Sequence, residues 1–241
     1  MKNFQINPRL FALLALSFVL ATIVGTVSHE LGHFAVAKYY KGHPKLHYAS
    51  VSQDEPSDFA TELSQRYNRE KNKIESPNPS PEKKAYMAYR EEIGEKLKHA
   101  TLFILLGGPL QTMLTGSLGG LMLWRRRKKI ATLGMRAADW FWVILAFFWS
   151  RQLANFLVVL KISFIRHRIS GGDETRISRY FGWHTLTFNT ITGIAAATVL
   201  LWVVFIIIPK TQRLNFILAG LCGSALGWLV WMEWMGPVLL P

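Results

Sequence analysis

The amino-acid sequence predicts an all-α, polytopic membrane helix bundle with about five transmembrane helices. Half of the 241 residues are hydrophobic, which is too apolar for an ordinary soluble domain. About twenty consecutive apolar residues are enough to cross the hydrocarbon core of a bilayer. Windows of that kind occur at residues 10–40, 100–124, 137–160, 186–208 and 214–235. In a soluble protein, too little polar sequence would remain to enclose buried helices of this length.

Tryptophans support these spans, because an aromatic belt at the membrane–water interface would place them near span ends. The tryptophans in such positions are Trp124, Trp140, Trp183, Trp231 and Trp234. The spans divide the chain into four parts. These are the first transmembrane helix (1–40), a partly ordered polar insert (41–99), the second and third transmembrane helices with the segment that follows them (100–185), and the last two transmembrane helices (186–241).

The polar insert has a balanced charge. Its proline-rich centre, residues 76–81, is typical of an extended linker, and residues 82–99 predict a charged surface helix. The insert is too short and too often interrupted by proline to form a substantial extra domain, such as a peptide-binding module.

Positive charge exceeds negative charge, with 28 lysines and arginines against 15 acidic residues and a net charge of +13. The positive residues lie between apolar spans rather than along one polar face. They therefore indicate contact with anionic lipid and signals for membrane topology, and not a nucleic-acid partner. The single cysteine, Cys222, excludes an internal disulfide and a cysteine-rich metal site.

Membrane orientation is not decided by these charges. If all five spans cross, ten lysines and arginines lie near span ends on each face, so the positive-inside rule favours neither orientation. The first 28 residues have the pattern of a signal peptide. We nevertheless expect this span to be retained, because its apolar pattern continues to residue 37. The prediction is a multi-pass integral protein of the cell membrane or an inner membrane.

An H-E-x-x-H motif lies at the end of the first apolar span. On a helix, His29 and His33 share one face and can hold a zinc ion, while Glu30 acts as the general base that activates water. Such a motif can occur by chance in a soluble chain. Inside an apolar span, however, all three side chains would need partners, and a metal satisfies them together.

A third metal ligand is expected, because a catalytic zinc usually takes three protein ligands and leaves one position for water. Asp173 is the leading candidate. It follows the third span and His33 lies near the end of the first, so both residues reach the same membrane face. The two glycines before Asp173 would let the backbone turn back toward the metal.

Other interpretations of these acids and histidines stay open. Asp173 could serve only to cap the helix that the following residues predict. Glu174 is the obvious substitute ligand, and His43 and His47 in the insert are further candidates.

Polar residues interrupt the third span near the same membrane face. Asn155 is a candidate catalytic residue, because its amide could donate a hydrogen bond to the substrate or to a developing oxyanion, although it could equally link helices. Arg151 is expected to be structural, either reaching for the interface or pairing with an acid such as Glu233. In the second span, the Gly-Gly-Pro of residues 107–109 allows a close helix approach or a local break.

Two segments resemble the site-2 protease family of intramembrane zinc metalloproteases. They are residues 26–38, Thr-Val-Ser-His-Glu-Leu-Gly-His-Phe-Ala-Val-Ala-Lys, and residues 105–110, Leu-Leu-Gly-Gly-Pro-Leu. The resemblance implies a three-helix catalytic core, here spans one to three, that cleaves transmembrane helices of other proteins near or within the membrane. It also implies His29 and His33 as ligands, Glu30 as the base, and an aspartate near the third core helix as the last ligand.

The chain departs from the family pattern around these positions. The family usually has Leu-Asp-Gly at its aspartate, with an asparagine and prolines shortly before it. Here glycines precede Asp173, and no proline lies between Asn155 and Asp173. Thr112 replaces the asparagine that is expected after Gly-Pro. These differences indicate a divergent branch, and they leave the third ligand and the role of Asn155 open.

The predicted function is therefore a zinc-dependent intramembrane metalloendopeptidase, with Zn²⁺ as cofactor, a transmembrane protein as substrate and the lipid bilayer as its surroundings. One alternative is a non-proteolytic membrane scaffold or binding protein that retains a structural metal, which would be closed by four protein ligands. Another is a small transporter, which would leave the glutamate without a role and predicts an internal repeat that the sequence does not show. The sequence predicts no oligomeric state and names no substrate.

Overall fold

The computed structural model describes residues 7–55, 57–166 and 171–241, and nearly all of them are helical. Five helical segments are long and apolar enough to cross a membrane: Pro8–Tyr39, Pro81–Leu133, Ala137–Ile165, Thr187–Ile207 and Lys210–Leu239. The all-α bundle predicted from the sequence is confirmed. These lengths and compositions are consistent with a multi-pass membrane protein.

The first helix, α1, spans Pro8–Tyr39. Proline suits the first helical turn because it has no N–H to leave unpaired, and the side chain of Asn7 accepts a hydrogen bond from the Leu10 N–H at 3.1 Å. The Asn7 N–H in turn donates to the side chain of Asn215 at 2.9 Å. This bond ties the start of α1 to helix α8, Lys210–Leu229, which packs along it.

A short hairpin follows α1. Its antiparallel strands are β1 (His43–Leu46) and β2 (Val51–Glu55). The turn between them is held by the end of the chain, because the Trp231 indole donates to the Tyr48 carbonyl at 2.8 Å and the Tyr48 N–H donates to the Leu240 carbonyl at 2.9 Å. The sequence did not predict this hairpin.

Two helices complete the insert and the second span. Helix α2 spans Asp58–Ile74, and helix α3 spans Pro81–Leu133, a total of 53 residues. The charged helix predicted at residues 82–99 is thus continuous with the second apolar span. An apolar window marks only what can cross a membrane. The helix itself continues until Gly134, whose φ of 80° suits glycine and ends it.

The third span consists of helix α4 (Ala137–Ala146), a 3₁₀ turn at Phe147–Trp149 and helix α5 (Ser150–Arg166). Asp139 in α4 is fully buried and accepts a hydrogen bond from the Arg126 guanidinium of α3. This pair links the carboxyl-terminal part of α3 to α4.

The remaining elements follow in order. They are α6 (Asp173–Tyr180), α7 (Thr187–Trp202), a π-helical turn (Val203–Ile207), α8, a second π-helical turn (Val230–Met235) and α9 (Gly236–Leu239). A buried hydrophobic cluster joins α1, α3, α4 and α8 and includes Phe18, Leu123, Val143 and Phe216. Helix α6 packs on α3 and α7. The candidate site lies where α1, α3, α5 and α6 meet.

Candidate metal centre

Two glycines bring α1 and α3 into backbone contact. A Cβ added to Gly32 would lie 2.8 Å from the Gly107 carbonyl carbon, and one added to Gly107 would lie 2.8 Å from that of Gly32. No other residue type permits this approach, because real Cβ atoms do not come within 3 Å of backbone. The contact presses the histidine face of α1 against α3.

Three side chains converge at this contact. The Nε2 atoms of His29 and His33 are 3.2 Å apart, and Oδ2 of Asp173 lies 3.4 Å from the first and 3.2 Å from the second. Both histidines are buried, and Asp173 is partly buried. These three residues could hold a metal ion.

Each imidazole is oriented through its other nitrogen. Nδ1 of His33 donates to the Ile104 carbonyl at 2.6 Å. Nδ1 of His29 lies 2.9 Å from the Thr112 hydroxyl, which donates to the Gly108 carbonyl at 3.1 Å and therefore accepts from the imidazole. With Nδ1 as the donor, each neutral ring presents the lone pair of Nε2 to the site. This arrangement is typical of histidines that bind metals.

The charge of Asp173 completes the cluster. Burial alone would raise the pKa of Asp173, but the two imidazoles that face its carboxylate, those of His29 and His33, outweigh burial and hold that pKa well below its usual range. Asp173 is therefore ionised near neutral pH. With Nδ1 as the donor of each ring, two imidazole lone pairs and a carboxylate oxygen lie within 3.4 Å of one another, and a cation between them would stabilise this arrangement.

Gly108 keeps the space beside the cluster open. A Cβ at this position would lie 2.5 Å from Nε2 of His29 and closer still to Nε2 of His33. Any side chain on α3 at residue 108 would therefore collide with the two nitrogen atoms. The observation gives Gly108 a role at the site, where the sequence suggested only close helix packing.

Asp173 is the first residue of α6 but does not cap it. The capping position belongs to Gly172, which is extended, and no side chain forms a capping hydrogen bond there. The interpretation of Asp173 as only a helix cap is therefore wrong, because its carboxylate faces the histidines of α1 instead of the N–H groups of its own helix.

Glu30 is buried beside the cluster and contacts an arginine. Its Oε1 lies 3.5 Å from the Arg151 guanidinium of α5. Glu233, which the sequence offered as a partner for Arg151, is exposed instead. The pairing could not be read from the sequence, because it depends on how α1 and α5 pack.

Asn155 and Glu174 contact each other. The Asn155 amide donates to Oε1 of Glu174 at 3.0 Å. Burial raises the pKa of Glu174 above its usual range, with the Asn155 hydrogen bond opposing that rise. Glu174 is not part of the group that could hold a metal. His43 and His47 of the insert are also engaged elsewhere, His43 with Asp58 at 2.9 Å and His47 with Ser52 at 2.8 Å.

Arg151 lines two clefts, each of about 280 Å³. The first is mostly apolar and lies between α1, the third span and α8; Phe18, Phe147 and Trp228 are among the residues that line it. We call it the apolar cleft. The second, which we call the polar cleft, lies under the hairpin. It is lined by Glu30, His33, Asp173, Arg151, Arg176 and hairpin residues 49–52, among others.

Thr112 and Arg151 are the site residues whose contacts the sequence did not predict. Thr112 was noted only as a departure from a family pattern, and Arg151 only as a structural cation. A signal existed in both cases. Thr112 lies four residues after Gly108 on α3 and so shares a helix face with a glycine already predicted to allow close packing. Arg151 lies four residues before Asn155 on α5 and so shares a helix face with a candidate catalytic residue.

Comparison of the chain with protein-family models, with curated proteins and with solved structures finds no match.

Proposed function

We propose that this protein is an intramembrane zinc metalloprotease that hydrolyses peptide bonds of transmembrane proteins and is similar to the site-2 protease family. The observation that carries the proposal is the convergence of His29, His33 and Asp173 beside the buried carboxylate of Glu30. We further propose a multi-pass location in a cell or inner membrane, supported by the five long apolar helical segments.

The spacing of the three ligand atoms supports zinc. Zinc bonds to nitrogen and oxygen of about 2.0–2.1 Å in a tetrahedral site imply distances of about 3.3 Å between ligand atoms. The observed distances are 3.2, 3.2 and 3.4 Å. His29, His33 and Asp173 would therefore hold the ion without rearrangement of their side chains.

The number of ligands supports catalysis over a structural role. A structural zinc is closed by four protein ligands, whereas a catalytic zinc leaves one position for water. Among the described residues, the candidates for a fourth ligand are engaged elsewhere, Glu174 with Asn155 and His43 with Asp58. The polar cleft reaches His33 and Asp173, so water and substrate have a route to the open side.

The chemistry divides between the ion and the protein. When bound, zinc supplies a Lewis acid that polarises a peptide carbonyl and lowers the pKa of water. Glu30 accepts the proton of the attacking water and later donates a proton to the leaving amine. Arg151 holds the Glu30 carboxylate at the edge of the polar cleft and balances its charge in the buried site.

The two clefts suit the two parts of a membrane-protein substrate. A transmembrane helix must unwind before cleavage, since its amides are otherwise hydrogen-bonded within the helix. The apolar cleft would receive a hydrophobic part of the substrate, and the polar cleft would receive the unwound segment beside Glu30.

The test uses the full-length protein in liposomes with a single-span protein as substrate. Wild-type protein is expected to contain about one zinc per chain and to cleave the substrate. Glu30→Gln should retain zinc and lose activity by a factor of about 10² to 10⁴, because the ion remains while the base is lost. Glu91→Gln is the matched control, because Glu91 is an exposed acid on α3, and it should leave zinc content and activity unchanged.

Three outcomes contradict the proposal. The first is a Glu30→Gln variant that cleaves as well as the wild type. The second is wild-type protein that holds zinc and cleaves no membrane substrate, which would favour a scaffold with a retained metal. The third is iron in place of zinc, since two histidines and one carboxylate also bind non-haem iron.

Membrane location and orientation are tested together with one cysteine. Asn78→Cys in a Cys222→Ser background places a single thiol in the insert. The protein should fractionate with membranes, and an impermeant maleimide added to intact cells should label this thiol only if the insert faces outward.

A further inference from the structure

Arg176 is an exposed arginine at the edge of the polar cleft. It lines this cleft together with Glu30, His33 and Asp173. An unwound segment of substrate that reached Glu30 would therefore pass the Arg176 guanidinium. Nothing in the proposed hydrolysis gives this side chain a role.

The backbone under Arg176 is firmly held. On either side of it, the hydroxyl of Thr175 accepts from the Asn189 amide at 3.1 Å and the hydroxyl of Ser178 accepts from the Phe188 N–H at 3.0 Å. Ile177 is fully buried. Helix α6 thus presents one exposed arginine toward the cleft from a fixed position, which is what selective recognition of a ligand group requires.

The charge of Arg176 is available to a ligand. Asp173 lies three residues earlier on the same helix face, yet its Oδ2 faces His29 and His33. Arg176 forms no ion pair with the side chains that the structure describes, whereas Arg151 is already paired with Glu30. Among the described side chains that line the polar cleft are two acids and two arginines, whose charges balance, so a bound metal ion would add positive charge to this set.

We propose that Arg176 is a specificity-determining residue that binds a carboxylate of the substrate close to the scissile bond. This inference rests on the proposed proteolytic function. The planar guanidinium matches a carboxylate in a two-point hydrogen bond, which favours it over a neutral amide. Preferred substrates carry this carboxylate at the polar end of the transmembrane segment, either on an Asp or Glu side chain or at a free carboxyl terminus.

The first experiment measures cleavage of matched substrates by wild-type protein in liposomes. A single Glu is moved through the positions that flank the cleaved bond, and each version is compared with Gln at the same position. At one position, the Glu substrate should have a KM about fivefold lower than the Gln substrate, with little change in kcat. This is the size expected for an ion pair near the surface, here between Arg176 and the substrate carboxylate. A second pair of substrates, one with a free and one with an amidated carboxyl terminus, tests whether Arg176 binds the terminal carboxylate instead of a side chain.

Charge reversal supplies the variant and its control. Arg176→Glu should abolish the preference for Glu and prefer Lys at the same substrate position. Arg179→Glu changes the same charge on the same helix at an exposed residue that does not line the cleft, and it should keep the wild-type preference.

A binding measurement separates the two hypotheses. Glu30→Gln and the double variant Glu30→Gln/Arg176→Glu are titrated with the uncleaved Glu and Gln substrates, and the single variant alone should bind the Glu form about fivefold more tightly. If wild-type protein cleaves Glu and Gln forms with equal KM at every position, and amidation has no effect, the inference is wrong while the proposed function stands. If no membrane substrate is cleaved, the proposed function fails instead.

Discussion

The Asn155 amide of α5 donates a hydrogen bond to Oε1 of Glu174 at 3.0 Å, across the join between the third span and α6. The contact separates the roles of two adjacent acids. Asp173 reaches both histidines, while Glu174 is held by Asn155 in a buried position. The next residue, Thr175, is also buried and bonded to Asn189. The start of α6 is therefore fixed from two sides.

This division predicts which acid binds the metal. Asp173→Asn should lose most of the bound zinc, because an amide carries no charge to balance the ion. Glu174→Gln should retain it, because the new amide can still accept from Asn155. Metal content per chain, measured by mass spectrometry on purified protein, checks both variants. Loss of zinc from Glu174→Gln but not from Asp173→Asn would assign the third ligand to Glu174.

Asn155→Ala is expected to lower stability rather than chemistry. The substitution leaves the buried Glu174 without its donor, at a cost of about 1–3 kcal/mol in the free energy of unfolding. A drop in thermal midpoint with nearly unchanged kcat in the folded fraction is the expected result. The opposite pattern, an unchanged midpoint with a large loss of kcat, would instead identify Asn155 as a donor to the substrate.

Gly108→Ala should exclude the metal. Its methyl group would lie 2.5 Å from Nε2 of His29, so the imidazoles could no longer converge. Gly120→Ala on the same helix is the control, because nothing lies within 4 Å of a Cβ at that position. Zinc content should fall sharply in the first variant and stay at the wild-type level in the second. Full zinc content in Gly108→Ala would contradict this prediction, because it would show that the site can accommodate the methyl group together with the metal.

Thr112→Val should weaken metal binding without removing it. Valine keeps the shape of the side chain but cannot accept the hydrogen bond from Nδ1 of His29. Loss of such an orienting bond typically lowers metal affinity about 10- to 100-fold. Competition with a zinc-buffering dye measures the affinity, and Thr112→Ser, which keeps the hydroxyl, should bind nearly as well as wild type. Equal affinities for Val and Ser would leave the Thr112 bond without a function.

The membrane spans and the histidine pair could be predicted from the sequence, because each depends on local pattern. Apolar length marks a span, and four-residue spacing puts His29 and His33 on one helix face. Asp173 could also be predicted as a candidate ligand, since counting the spans places it on the same membrane face as His33. These inferences need chain order and helix geometry but no knowledge of packing.

The contacts of Arg151 and the hairpin could not be predicted in the same way. Arg151 meets Glu30 because the fold brings the side chain of Arg151 at the start of α5 within reach of the motif on α1, and the sequence of a helix does not say which side chains of other helices it will meet. The hairpin at residues 43–55 is stabilised by hydrogen bonds of Tyr48 with Trp231 and Leu240, which lie more than 180 residues after Tyr48 in the chain. Short strands held by such distant partners leave little local signal.

The length of α3 connects the insert to the candidate metal centre through one helix. At 1.5 Å per residue, the helix is about 80 Å long, well over twice the thickness of the hydrocarbon core. Its outer end carries α2, packed around the buried side chains of Ile74, Tyr86 and Ile93, while Gly108 lies against the two imidazoles farther along. Helix α3 therefore joins the insert to the candidate site as one continuous helix. A tilt of its insert end would also move Ile104 and Gly108, whose backbone contacts the imidazoles of His29 and His33.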